Sequence, residues 1–174
     1  MNFTEMLKGK YQWSTKNGEE MCTLSEISKR ASYLGYFTIE GGRMPFTKAE
    51  GLRRKDVKAL GDVVYFMFVD NELMKIGKAG GASGFASRAE TYSRGVYGDA
   101  TNRKIWDVMN SLNKDRIEVF YVQCPKHVIE YNCPLTNDVL TEEVSTHKNV
   151  EVRLTQKYLS EDESRDLPFC HQLN

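Results

Sequence analysis

Neither sign of charge predominates in this chain of 174 residues: 24 lysines and arginines are matched by 24 aspartates and glutamates. That excludes a uniformly basic nucleic-acid binder, but not one whose charge is segregated. No apolar run approaches the roughly 20 residues of a membrane-spanning helix. The opening Met1-Asn-Phe-Thr-Glu-Met-Leu-Lys8 lacks both a long apolar run and a small-residue cleavage site, so it does not read as a signal peptide. A cytoplasmic chain without membrane contact is expected. There are only four cysteines, widely spaced (Cys22, Cys124, Cys133, Cys170), which predicts free thiols in a reducing compartment. Cys124, His127 and Cys133 follow no standard zinc spacing, and a fourth ligand would have to come from Cys22 or from Cys170-His171. The three histidines lie far apart. Internal repeats, low-complexity tracts, the phosphate-loop order, Gly-x-Gly-x-x-Gly after a strand and His-Glu-x-x-His are all missing. Gly77-Lys78 is only a fragment of a phosphate loop.

What is present is an apolar content of 40%, enough to bury a core and too high for a disordered chain. Charge is unevenly spread. Residues 1–60 carry 11 bases and 7 acids, and residues 61–174 carry 13 and 17. Thr23-Leu-Ser-Glu26 and Thr47-Lys-Ala-Glu50 have the form of capping boxes. They predict helices to about Tyr33 and Leu60, with a short apolar piece, Tyr36 to Ile39, between them. The second helix would display Lys48, Arg53, Arg54, Lys55 and Lys58. It is read either as a solvated face or as a phosphate-contacting one. Gly61 is placed to stop it.

From Asp62 the texture changes. Val63–Val69 is a continuous apolar run, as expected of a strand buried on both faces. Asp70-Asn71 is turn chemistry, and Glu72 to Gly77 reads as the returning strand. A small-residue loop containing Gly80, Gly81 and Gly84 follows. Helices are predicted over about 86–94 and 102–114, and a third strand over 116–123. Residues 125–140 read as loops, and 142–159 as the last long helix. The expectation is an α+β domain over 62–174, a small three-stranded antiparallel sheet flanked by helices, preceded by a basic helical arm over 1–61.

Four polar residues sit where apolar ones would be ordinary. Tyr65 lies mid-strand, Lys75 within the returning strand, Arg88 on the following helix, and Glu151 at i−3 and i−7 from Leu154 and Tyr158. Individually each has a plain structural explanation, such as a tyrosine bonded to a carbonyl or an Arg88–Glu151 ion pair. Taken in order, Val63-Val-Tyr65, Lys75-Ile-Gly77, Arg88 and Glu151 resemble the GIY-YIG nuclease superfamily over about residues 62–174. Among its branches they are most similar to small type II restriction endonucleases with a helical N-terminal arm. Val63-Val64 stands in for Gly-Ile, and Lys75 replaces the second motif's tyrosine. For the family's late asparagine, Asn174 and Gln172 are candidates.

The resemblance implies a hydrolase, an endonuclease acting on double-stranded DNA with one Mg²⁺ or a similar divalent ion such as Mn²⁺. Glu151 would be the metal ligand, and Tyr65, Lys75, Arg88 and Glu151 the catalytic set. The chemistry is coherent in itself. A carboxylate suits a hard cation, a guanidinium suits a phosphate fork, and nearby cations would favour a phenolate at Tyr65. Lys75 is the alternative base. Lys78 and Tyr92 are weaker candidates for shaping the site. Lys78, Arg94, Arg53, Arg54, Lys55 and Lys58 are expected to contact DNA. Residues 75–104 hold six bases and two acids, so the proposed active face is basic within a neutral chain. Cutting both strands at a symmetric site would call for a homodimer. Other readings are an inactive DNA-binding protein of the same fold, a repair, recombination or phage nuclease, and an unrelated α+β protein with a structural Tyr-Lys-Arg-Glu network.

Overall fold

The computed structural model describes residues 31–136, 138–163 and 165–170. Its elements are β1 (Ser32–Thr38), β2 (Phe46–Lys48), α1 (Arg54–Ala59), β3 (Val63–Val69), β4 (Glu72–Ala79) and α2 (Gly84–Ser93). A 3-10 turn (Gly95–Tyr97) leads to α3 (Ala100–Ser111), β5 (Arg116–Gln123), β6 (Lys126–Asn132), β7 (Val139–Ser145) and α4 (His147–Ser160). The class is α+β, with an antiparallel sheet flanked by helices.

The apolar run of β3 is buried at every residue because both its faces and both its edges are covered. It pairs antiparallel with β4 on one side and β5 on the other. Val63, Tyr65, Met67 and Val69 pack in one core cluster together with Phe85, Ala89 and Tyr92 of α2 and Ile105 and Met109 of α3. Val64, Phe66 and Phe68 pack in a second cluster with Leu154 and Tyr158 of α4. The strand's period of two therefore divides its side chains between two helical layers. The β3–β4 turn holds Asp70 and Asn71 at φ of 47° and 69°, the left-handed pair that a tight two-residue hairpin demands.

The main sheet has five strands in the order β2-β1-β5-β3-β4, where the sequence predicts three. Both additional strands come from the region expected to form a helical arm. The predicted apolar piece at 36–39 belongs to β1, which pairs with β5 from Ser32↔Tyr121 to Thr38↔Arg116. Thr47 is a strand residue rather than a helix cap. Phe46 beside it stacks on Phe37, 4.9 Å between centroids, and on Phe85, 5.6 Å, which holds the segment extended against α2. Gly51, at a φ of 84°, stands between this strand and α1. Helix α1 begins only at Arg54, where the Arg53 amide donates to Asp56 Oδ2 at 2.8 Å. Apart from Ala31 to Tyr33, the helix predicted from Thr23 lies outside the described residues.

Residues 126–145 form a two-stranded hairpin, β6–β7, where loops and the start of a helix were expected. Val128, Ile129, Tyr131, Val139, Thr141 and Val144 favour extended backbone, while Pro125 and Pro134 fall just outside the strands. The last helix consequently starts at His147. Among the described residues no helix is long and apolar enough to cross a membrane.

Candidate active site

Tyr65 is wholly buried in the interior strand β3. Its ring meets Phe85 edge-on, with centroids 5.2 Å apart, and its hydroxyl lies 2.7 Å from that of Tyr92 on α2. Directly across the β3–β4 ladder is Gly77. A methyl group there would collide with the phenol ring, so the tyrosine fits only beside a residue without Cβ. Burial drives the Tyr65 pKa well above its usual value, Tyr92 pushes it further up, and Arg88 pulls it back. The expectation that surrounding cations favour a phenolate is outweighed here by desolvation.

Lys75 pairs with Met67, and paired residues of an antiparallel ladder share a face, so it lies on the Tyr65 side of the sheet. Its ammonium donates to the Phe169 carbonyl at 3.3 Å and approaches Cys170 Sγ at 3.9 Å. The C-terminal segment reaches it because the Phe169 amide donates to Met74 O at 3.1 Å, capping the outer edge of β4. Lys104 on α3 donates to the Cys170 carbonyl from the same side.

Lys78 pairs with Val64 and so belongs to the α4 side. Its Nζ is 2.8 Å from Glu151 Oε2. Lys78, rather than Arg88, is therefore the ionic partner of Glu151. The spacing Glu151, Leu154, Tyr158 behaves as the sequence suggests: the two apolar members are buried and the carboxylate sits half-buried above them. Arg88 is exposed near the start of α2. It lines, with Lys78, a cleft of about 790 Å³ whose floor includes Gly80, Gly81 and Gly84. Two tied groups thus result. One is Tyr65–Tyr92 with Lys75 beside the C-terminal segment, and the other is Lys78–Glu151. Arg88 shares the cleft with Lys78.

The same cleft contains a pair that the sequence did not reveal. His147 Nδ1 lies 3.2 Å from Asp62 Oδ1, although the ring N–H is not aimed at it, and Ser145 Oγ donates to Asp62 Oδ2 at 2.8 Å. A side chain at Gly80 would come within 2.6 Å of His147 Nε2. Asp62 and His147 are 85 residues apart, and nothing in their local sequence signals the contact.

A second cleft of about 1010 Å³ lies between β2, α1 and α2, and adjoins the first at Ser87, which lines both. Arg54 and Lys58 line it, joined by Lys48, which was expected on one helix with them and instead closes β2. Arg53 is instead bonded to Asp56, with Nε to Oδ2 at 3.1 Å. Lys55 and Arg94 are exposed and line neither cleft. Asn174 and Gln172 lie outside the described residues. Among the described residues no cluster of three or more His, Cys, Asp or Glu is poised to hold a metal. A metal at Glu151 would therefore rest on one carboxylate, with water and phosphate oxygens completing its shell, a donor set that suits a hard ion such as Mg²⁺.

No protein-family model matches the chain, and no curated protein matches it. Among solved structures, the chain is similar to restriction endonuclease HPY188I in complex with product DNA, at 16% identity and a TM-score of 0.47, over 85% of this chain and 84% of that one. It is also similar to a mutant of bacteriophage T4 EndoII, at 17% identity and a TM-score of 0.49, over 77% of this chain and 93% of that one.

Proposed function

We propose that the chain is a divalent-metal-dependent endonuclease of the GIY-YIG type that hydrolyses phosphodiester bonds in double-stranded DNA, in the manner of a site-specific restriction enzyme. The observation that carries this reading is the packing of Tyr65 on Gly77 with its hydroxyl on Tyr92, together with a cleft lined by Arg88 and by Lys78, whose ammonium holds Glu151.

Each residue then has a task. Arg88 grips a non-bridging phosphate oxygen and offsets the charge that develops as water attacks. Glu151 would hold the divalent ion, whose Lewis acidity would polarise the phosphate, and Lys78 orients the carboxylate. Tyr65, buried and bonded to Tyr92, and Lys75, bonded to the C-terminal segment, lie on the opposite face of the strand and fix β4 in register beneath the site. With its pKa raised, the Tyr65 phenol keeps its proton at neutral pH and serves as a hydrogen-bonding group. The basic cleft of Lys48, Arg54 and Lys58 adjoins this site and suits the flanking duplex backbone.

The test is incubation of the purified chain with plasmid DNA in Mg²⁺ or EDTA, alongside Glu151→Ala. Discrete fragments that need Mg²⁺ and vanish in the variant support the full reading. Nicking or smearing retains the nuclease and removes site specificity. Salt-dependent binding without cleavage leaves an inactive DNA-binding protein of the same fold, and absence of binding overturns the proposal.

A further inference from the structure

Hydrolysis requires the attacking water to lose a proton. The two groups that the sequence offers for that task, Tyr65 and Lys75, line no part of the cleft that holds Arg88 and Lys78. Three carboxylates and one imidazole do line it. Glu142 and Glu143 are exposed on β7, and Glu143 pairs with Lys126. Asp62 and His147 are set deeper. Their side chains are only 12% and 8% exposed, and Asp62 Oδ1 lies 3.2 Å from His147 Nδ1. Among the described residues that nitrogen has no hydrogen-bond partner, so the buried imidazole is incompletely satisfied.

Three further observations concern the same pair. Asp62 stands at a φ of 53°, a left-handed conformation that costs a residue with a side chain energy and that Asp and Asn tolerate better than most. Ser145 Oγ donates to Asp62 Oδ2 at 2.8 Å, while Oδ1 is the oxygen nearest the ring. His147 opens α4 one turn before Glu151, so the two are neighbours on that helix: Glu151 meets Lys78, and His147 meets Gly80. At Gly80 a Cβ would come within 2.6 Å of Nε2 and 2.7 Å of Cε1. Gly80 is not one of the left-handed glycines, so the ring, and not the backbone, is what excludes a side chain there. The absent side chain leaves space at the Nε2 edge of the ring, in the wall of the cleft.

We propose that His147 is the general base of this site and that Asp62 is its positioning residue. The carboxylate keeps the ring proton on Nδ1, which leaves the Nε2 lone pair to the cleft. Catalytic contacts of this length commonly tighten in the substrate complex. Nε2 takes a proton from water, and the water oxygen bonds to phosphorus as the bond from phosphorus to the departing sugar oxygen breaks. That oxygen takes a proton from solvent, and the imidazolium returns its own to solvent, so one water is consumed for each diester cleaved. The other charged groups of the cleft are Lys78 from β4, Arg88 from α2, Glu142 and Glu143 from β7, and Lys148 from α4. The inference rests on the nuclease reading and supplies the proton acceptor for it.

The experiment follows single-turnover cleavage of DNA by the full chain in Mg²⁺ over a range of pH, with DNA binding and thermal unfolding measured in parallel. The wild-type rate is expected to fall towards acid pH as the imidazole is protonated. His147→Ala should lose about a hundredfold or more in rate, keep its DNA affinity and lose that acid limb. Added imidazole should restore part of the rate, and substituted imidazoles should do so in order of their basicity, a response that a merely structural histidine does not give. Asp62→Asn keeps the side-chain shape and suits the same backbone, so it should slow cleavage without changing binding or melting. Gly80→Ala should do the same by crowding Nε2. A His147→Ala variant that cleaves at the wild-type rate overturns the proposal and leaves the nuclease standing. So does a slow one that imidazole does not rescue, or an Asp62→Asn variant with full activity. Sulfur in place of the departing oxygen separates base from acid: if that substrate returns His147→Ala to the wild-type rate, the imidazole protonates the leaving group and the base assignment falls. A wild-type chain that cleaves no DNA overturns both readings.

Discussion

At the scale of single residues, the Tyr65–Gly77 contact joins stability to the proposed chemistry. Gly77→Ala puts a methyl into the phenol ring at a position where β3 cannot retreat, because it is held on both edges. Overpacking of this kind costs about 1–3 kcal/mol. Urea denaturation should register that loss, and cleavage should fall further than stability, since the ring is displaced. The tyrosines also set an alkaline limit. Tyr33 donates to the buried Glu118 carboxylate at 2.5 Å, and burial first, then this carboxylate, raises its pKa to about 12. Tyr65 is raised too, chiefly by burial. Both phenols hold their protons more tightly in the folded chain than in the unfolded one, where they ionise near the ordinary value of about 10. Their contribution is complete below that value and is lost as the pH rises from about 10 towards 12. The urea midpoint should fall across that window, and Tyr33→Phe should flatten the decline.

At the scale of elements, legibility followed where burial was decided. Strand β3 could be read to the residue because seven consecutive apolar side chains admit only a position covered on both faces. Strand β5 was read from its run of β-branched and aromatic residues, Ile117 to Val122. The N-terminal strands were hidden, since Thr47 to Glu50 carries a genuine capping pattern that is overridden by the packing of Phe46 on Phe37 and Phe85, the latter far along the chain. The β6–β7 hairpin was hidden for the opposite reason: its strands bury almost nothing, so their apolar residues carry no core-facing rhythm. The same shift in α1 sorts the basic residues. Lys48, Arg54 and Lys58 converge on one cleft, whereas Arg53 is engaged by Asp56 and Lys55 lies outside the cleft. Changing the first three to glutamine should lower the slope of log binding constant against log salt by about 3, near 0.9 for each phosphate no longer neutralised. Lys55→Gln should change it far less. Fluorescence anisotropy on a short duplex at several salt concentrations measures both.

At the scale of the whole molecule, the tasks of the candidate site are spread along the chain and gathered by one sheet. Tyr65 comes from an interior strand, Lys75 and Lys78 from the two faces of the edge strand beside it, and Glu151 from a helix packed on one face. The order of these residues was visible in the sequence. The Lys78–Glu151 partnership was not, because which face of β4 each lysine takes depends on register, and a bulge between Met67 and Phe68 helps set that register. The sheet also runs across residue 61, where the change of texture suggested a boundary. Leu34, Phe37, Met44 and Val57 belong to the same core cluster as Tyr65 and are almost fully buried. Side chains of this size contribute about 1.5–3 kcal/mol each on burial, so removing four of them forfeits about 6–12 kcal/mol, comparable with the net stability of an ordinary domain. Strand β5 would at the same time lose its pairing with β1. A fragment of residues 62–174 should therefore fail to fold, giving a collapsed amide proton spectrum and no cooperative thermal transition. A well-dispersed spectrum and a sharp melt would mean instead that β3, β4 and β5 with their helices are sufficient, and that the N-terminal third is an addition to a self-standing catalytic unit.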